Sequence, residues 1–311
     1  MNEEESHADY LTEALALRNL AIDRLAAQTA AAFASAGIES MVLKGPVLAA
    51  WLYPDEVRPY GDADLLVPPE RWRDAVATLE RLGFSDQLGP MAHPRMESFN
   101  STAFLRGEEN LDLHCAIHGL EAEPAAIWRI FSTGSASQEI GGAALRIPGR
   151  PALLLHVALH AAHHTEAKPL EDLRRALLLT DEELWTAAWE LAEELDGAPV
   201  FATGLRRLPE GAELARGLGI GAEVRSARHD LRHDRVPTAE GIDELLSPDL
   251  SFAERVRTIG RELFPRPEFM RWWFPPARRG RLGLLLGYAW RWIWLVWHAP
   301  RGFRAARRRR G

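Results

Sequence analysis

The chain has 311 residues, 47% hydrophobic and 26% charged, a globular balance with room for one large domain or two modest ones. A single cysteine, Cys115, excludes an internal disulfide and fits a reducing compartment. The start, MNEEESHADY, is acidic and lacks the basic residues and apolar run of a secretory signal, so a cytoplasmic location is expected. The net charge of -7 is unevenly spread. From Arg266 to Gly311 there are 12 arginines and one acid, Glu268, a balance of +11, whereas the rest of the chain stands at -18. So acidic a body argues against binding long nucleic acid, and the basic segment points to a partner of its own.

Residues 8–36 read as a helix, with Leu11, Leu15, Leu17, Leu20, Ile22 and Leu25 at roughly helical spacing and Gly37 as its stop. IESMVL (38–43) reads as a short buried strand that ends at Lys44-Gly45, and Pro46 suits the first turn of a helix over 46–52. Two prolines mark 53–61 as loop. Residues 62–67 form a second strand, and 70–82 a helix closed by Gly83. Residues 99–106 and 110–118 form a hairpin about a turn at 107–110, and a strand near Leu145 ends the sheet at Pro148. After Pro151 the chain turns helical: PALLLHVALHAAHH, LEDLRRALLL and DEELWTAAWELAEEL are rich in leucine and alanine. The expected division is 1–150, an α+β unit with a small mixed sheet flanked by helices; 151–300, an all-helical domain; and 301–311, a basic tail. Residues 226–250 are polar and loop-rich.

The most informative segment is VRPYGDADLLV (57–67). Side chains alternate faces along a strand, so Asp62 and Asp64 share a face, with Ala63 and Leu65 on the other. Two neighbouring carboxylates repel each other and cost sheet stability unless a cation lies between them, and a divalent metal is the usual compensation. ENLDLHCAIH (109–118) repeats the pattern: Leu111, Leu113, Cys115 and Ile117 on one face, Asp112, His114, Ala116 and His118 on the other. If its strand neighbours the first, Asp112 joins Asp62 and Asp64 in a two-metal site that activates a hydroxyl and holds a triphosphate. His114 suits orientation of an acid better than ligation of magnesium, which prefers oxygen. Asp112 and His114 are both candidates for general base. Lys44 and Gly45, at a strand-to-helix turn, are candidate phosphate contacts. Arg58 is a third, as a fork donor, unless it pairs with Asp55 or Glu56 in its own loop.

The succession LKG (43–45), LYP (52–54), R-P-x-G-D-x-D-L-L-V, a helix ending in LGF (82–84) and L-D-L-H (111–114) resembles the poorly characterised bacterial nucleotidyltransferases of the DNA polymerase beta superfamily. It is similar in order to the aminoglycoside nucleotidyltransferases. The resemblance covers about residues 10–180, including PALLLHVALHAAHH and PLEDLRRAL. It implies Asp62 and Asp64 as paired metal ligands, Asp112 as the third carboxylate and Gly45 as the turn glycine. It also implies Mg2+ or Mn2+ as cofactor, a nucleoside triphosphate such as ATP as substrate, and a small molecule or modified peptide as acceptor, with release of pyrophosphate. One departure stands out: the superfamily has Gly-Gly or Gly-Ser at the turn, and this chain has Lys44-Gly45-Pro46, without a hydroxyl. That departure motivates the rival reading, a non-catalytic nucleotide-binding protein on the same fold.

Three other features compete for a role. His156, His160, His163 and His164 share roughly one helical face, as a zinc site or as hydrogen-bonded interface histidines. His229-Asp230 and His233-Asp234 resemble the pairs of metal-dependent phosphohydrolases, or mark a solvated charged helix. Residues 282–299, with six of the eleven tryptophans between Trp272 and Trp297, are barely long enough to span a bilayer, and Arg291 at mid-run costs about 2.5–3.5 kcal/mol there. Two readings remain for this segment: a packed terminal helix with its arginines outward, or peripheral membrane contact through 272–311.

Overall fold

The structure, a computed structural model, describes residues 3–86, 101–226, 238–246 and 251–310. The two His-Asp pairs lie outside them. Among the described residues the chain divides into two compact units, 3–86 with 101–222, and 223–226 with 238–246 and 251–310. The expected boundary near 150 thus falls inside the first unit, between its sheet and its helices.

The first unit opens with α1 (Glu3–Ser35). It ends where Ile38 N–H reaches back to the Phe33 carbonyl at 2.9 Å around Gly37, whose φ of 68° suits glycine. There follow β1 (Met41–Val42), α2 (Pro46–Leu52), β2 (Ala63–Leu66), α3 (Trp72–Arg81) and β3 (Ser85–Asp86). Next come β4 (Ser101–Arg106), β5 (Glu109–His114), α4 (Pro124–Thr133), β6 (Ala136–Ile140) and β7 (Ala143–Ile147). The helices α5 (Arg150–His163), α6 (Ala167–Leu179), α7 (Glu182–Glu194), α8 (Ala198–Leu205) and α9 (Pro209–Gly217) complete the unit.

Five strands form one sheet in the order β1-β2-β5-β4-β3. Only β2 and β5 run parallel, and they are not consecutive in the chain; α3 lies in the crossover between them. The fold class is therefore the expected α+β, with a small mixed sheet. Its core follows from strand alternation. Ala63, Leu65 and Val67, with Leu111 and Leu113, project into a cluster with Ile22, Leu25 and Phe33 of the α1 region. Burying a leucine-sized side chain contributes about 1.5–3 kcal/mol, so this face fixes which residues must point the other way. Asp64 and Asp112 do. The strand near Leu145 has a partner that the polar sequence ASQEI concealed, β6, and the two form a separate hairpin.

In the second unit, α10 (Ala239–Leu245), α11 (Phe252–Leu263), α12 (Pro267–Trp273) and α13 (Gly280–Arg310) are helical. Residues 301–310, expected as a separate basic tail, are the last turns of α13. Among the described residues no helix is long and apolar enough to cross a membrane. The packed-helix reading placed arginine outward, and for Arg291 the reverse holds. It is 5% exposed, donates from Nε to the Glu262 carbonyl at 2.7 Å, and pairs through Nη2 with Glu262 Oε2 at 2.9 Å.

Candidate active site

The parallel register sets Asp64 directly opposite Asp112, and Leu66 opposite His114. Neighbours in register project from the same face, so two short strands gather two carboxylates and an imidazole. Ligand atoms of Asp64, Asp112 and His114 all lie within 4.8 Å of one another, and among the described residues this is the one group so arranged. Asp62, expected on the strand, sits at a bend one residue before β2 and outside that group. It is still close enough for its charge to act on Lys44 and for Asp64 to act on it.

Lys44, expected to address phosphate, points its ammonium at the carboxylates instead. Its Nζ lies 3.0 Å from Asp64 Oδ1, and His114 Nε2 lies 3.2 Å from the same oxygen. The other oxygen, Asp64 Oδ2, is fully buried and has no hydrogen-bond partner among the described residues. A buried carboxylate oxygen without a donor is costly, about 1–3 kcal/mol or more for a charged group. Burial pushes the Asp64 carboxyl up, but Lys44 and His114 beside it hold it well below the usual carboxylate range. Lys44 shows the counterpart: burial works against its charge, and Asp64, then Asp62, raise it past the ordinary lysine value. Asp62 is pushed up to about 6 by burial and then by the charge of Asp64. Asp112 is raised by the same two causes in the same order. One acid is thus locked in its ionised form, and two others hold a proton more tightly than usual.

The turn before α2 is less open to phosphate than expected. Gly45 takes φ 60° with its Cα against the Tyr60 ring, where an added Cβ would lie 3.4 Å from Tyr60 Cδ2. Pro46 has no N–H, and Val47 N–H donates to the Lys44 carbonyl at 3.3 Å. Arg58 pairs with neither Asp55 nor Glu56. It is 2% exposed and makes a fork with Asp172 on α6, Nε to Oδ1 at 2.7 Å and Nη2 to Oδ2 at 2.6 Å. Tyr53 O–H also donates to Asp172 Oδ1, at 2.8 Å. Arg58 Nη1 is buried with no partner among the described residues. Glu56 pairs instead with Arg175, Nη2 to Oε2 at 2.7 Å. Asp172 is the residue that sequence reasoning missed, although PLEDLRRAL was among the segments that carried the resemblance.

The histidines of α5 behave as interface residues. His163 Nε2 lies 2.9 Å from the His118 carbonyl oxygen, and the rings of His160 and His164 lie 4.2 Å apart. His156 and His160 line a small cavity with Lys44, Leu43 and Leu48. Burial, and then the charge of Lys44, pushes His156 down to about 3. It is therefore neutral at physiological pH.

Paired strands thus present carboxylates beside a strand-to-helix turn. The chain belongs to the family described as uncharacterised nucleotidyltransferases, whose model matches residues 4–210. Among solved structures it is similar to the antibiotic-resistance factor ANT(2'')-Ia, at 19% identity over 58% of this chain and 92% of that one, TM-score 0.40. It is also similar to the lincomycin-bound lincosamide antibiotic adenylyltransferase LnuA, at 14% identity over 48% and 91%, TM-score 0.33. An antigenic nucleotidyltransferase-like protein from Paracoccidioides brasiliensis matches at 14% identity over 60% and 92%, TM-score 0.34. Among curated proteins none matches the chain.

Proposed function

We propose that this protein transfers a nucleotidyl group from a nucleoside triphosphate to a hydroxyl of a small molecule or modified peptide. The acceptor oxygen forms a bond to the α-phosphorus, the bond from that phosphorus to the β-phosphate bridge breaks, and pyrophosphate leaves. The carrying observation is Asp64: 1% exposed, engaged by Lys44 and His114 through one oxygen, with the other unpartnered among the described residues, and directly opposite Asp112. A hard divalent cation suits that oxygen and the neighbouring carboxylates, and His114 adds nitrogen only where Asp64 is already engaged. Held by Asp62, Asp64 and Asp112, Mg2+ or Mn2+ would neutralise the triphosphate and the leaving pyrophosphate and acidify the attacking hydroxyl.

The protein's own contribution is positioning. Lys44 and His114 keep Asp64 charged and fix its rotamer through Oδ1, which leaves Oδ2 for a ligand. Asp112, directly opposite Asp64 in the parallel register, is placed to accept the proton of the acceptor hydroxyl. Arg58, anchored by Asp172, offers its remaining Nη1 to phosphate. Gly45, at φ 60° with its Cα against the Tyr60 ring, shapes the turn beside the site. The acidic balance of the chain outside the arginine-rich segment favours a small or peptide acceptor over a long nucleic acid.

The experiment is pyrophosphate release by the full chain with Mg2+, each nucleoside triphosphate and a panel of hydroxyl acceptors. Magnesium-dependent release that disappears in Asp64→Asn supports transfer. The Lys44-Gly45-Pro46 turn, with its missing N–H at Pro46, favours a second reading, nucleotide binding without turnover. Saturable triphosphate binding with no release under any acceptor would establish that reading instead.

A further inference from the structure

Helix α13 is built inside out. Its inner side carries Gly283, Gly287 and Arg291. A Cβ added at Gly287 would lie 3.3 Å from Met270, Phe274 and Ala277, so glycine sets how closely α13 approaches α12 and the turn after it. Arg291 sits within 5.3–5.4 Å of the Phe269 and Trp273 ring centroids as well as on Glu262. The outer side is apolar: Leu282, Leu285, Leu286, Ile293, Val296 and Trp297 are each 58–75% exposed, and Phe303 continues the line at 44%. At the helical repeat of 3.6 residues per turn these positions fall on one side and form a stripe along a helix of 31 residues, about 46 Å long.

A second stripe meets the first. Along α11, Phe252, Val256, Ile259 and Leu263 are exposed at the same spacing. The helix ends with Phe264 edge-on to Trp292, ring centroids 5.3 Å apart, and with Trp292 Nε1 donating to the Leu263 carbonyl at 2.9 Å. The combined face is far larger than the scattered apolar side chains a soluble surface normally shows.

Charge identifies the occupant. Exposed arginines flank the stripe, Arg278, Arg279 and Arg281 before Leu282, and Arg301, Arg304, Arg307 and Arg308 around and beyond Phe303. No acid occurs after Glu268. An apolar stripe bearing tryptophan, bounded by cations and, along α13, free of acids, is the chemistry of a helix lying in a bilayer interface, its apolar side at the acyl boundary and its cations among anionic headgroups. Nucleic acid would call for cations along the stripe itself, not at its ends. We propose that the outer face of α13, extended by α11, docks this protein on the surface of an anionic membrane without crossing it. The proposal is independent of the nucleotidyl-transfer site.

Flotation of the full chain with vesicles tests this. Phosphatidylcholine vesicles containing phosphatidylglycerol should carry the protein, vesicles of phosphatidylcholine alone should carry about tenfold less, and added salt should release it. Leu285→Gln, Val296→Gln and Trp297→Gln together should lower flotation by about tenfold or more. Arg301→Gln, Arg304→Gln and Arg308→Gln together should weaken it and flatten its dependence on anionic lipid. A wild-type measurement covers misfolding of either variant: brominated acyl chains should quench and ordinary vesicles blue-shift the tryptophan emission. Unchanged emission, or no flotation with anionic vesicles, overturns the proposal. So does a shift of nucleic acid at the same salt with no vesicle binding, or a dimer that the glutamine variant dissociates while flotation is absent.

Discussion

Two buried carboxylates in the first unit, Asp172 and Asp64, each have cationic partners, and they are completed differently. Asp172 has both oxygens engaged, Oδ1 by Arg58 Nε and Tyr53 O–H, Oδ2 by Arg58 Nη2. Asp64 takes Lys44 and His114 on the same oxygen and leaves Oδ2 without a donor among the described residues. The first arrangement satisfies the carboxylate and ties the loop before β2 to α6. The second keeps a carboxylate ionised while withholding half of its coordination from the protein. Saturation distinguishes a carboxylate that holds a fold together from one that is available to a ligand.

Substitutions at the two sites should therefore separate activity from stability. Asp64→Asn is expected to lower pyrophosphate release by about 10³-fold, because a preorganised charge at the reacting phosphates is lost, with a much smaller change in the urea midpoint. Asp172→Asn is expected to destabilise the protein by about 3–5 kcal/mol, since it leaves Arg58 buried without its counter-charge. Arg58→Met with Asp172→Leu should recover much of that loss. Equal losses of stability at Asp64 and Asp172 would erase the distinction between them.

Ligand linkage sharpens it further. Magnesium at about 100 times its dissociation constant should add about 2.7 kcal/mol to unfolding stability in the wild type and in the Arg58→Met, Asp172→Leu protein. Asp64→Asn should show little of this gain in the same titration.

The smallest effect concerns pH. Asp62 titrates at about 6 in the metal-free fold, above its ordinary value of 3.8, so its neutral form is the favoured one. The folded protein then holds a proton that the unfolded chain has already lost. This group's contribution to stability is fully present below pH ~4 and falls as pH rises towards 6. A cation reverses the preference and displaces that proton. Magnesium affinity measured by calorimetry should be flat above pH ~6.5 and weaken by up to about tenfold per pH unit below 6. Affinity independent of pH across that range would remove Asp62 from the ligand set.

Much of the site was legible in the sequence because its signals are local. Alternation along DADLLV and NLDLH sends Asp64 and Asp112 away from the leucine face, and Pro46 marks the start of α2. The missing details involve residues far apart in the chain. Arg58 reaches Asp172 across 114 positions, and nothing near Arg58 distinguishes that partner from Asp55 or Glu56. Lys44 turns to Asp64 because the Leu43 N–H pairs with the Asp64 carbonyl at 3.1 Å, a cross-strand contact that brings the two side chains together. β6 was hidden because its exposed, polar ASQEI carries little of the apolar alternation that marks a strand.

The amino-acid sequence by itself determined the α+β class, the alternating faces of the two acid-bearing strands and the arginine-rich, tryptophan-rich character of the end of the chain. Each follows from period, composition and turn chemistry within a few residues. The tertiary structure alone decided that β2 and β5 run parallel with Asp64 opposite Asp112, that Asp64 keeps one oxygen open while Asp172 has none, and that Arg291 lies inside α13's packing with the leucines outside. Those outcomes depend on which distant groups a buried charge meets, and the cost of leaving a charge without a partner in a low-dielectric interior selects among them.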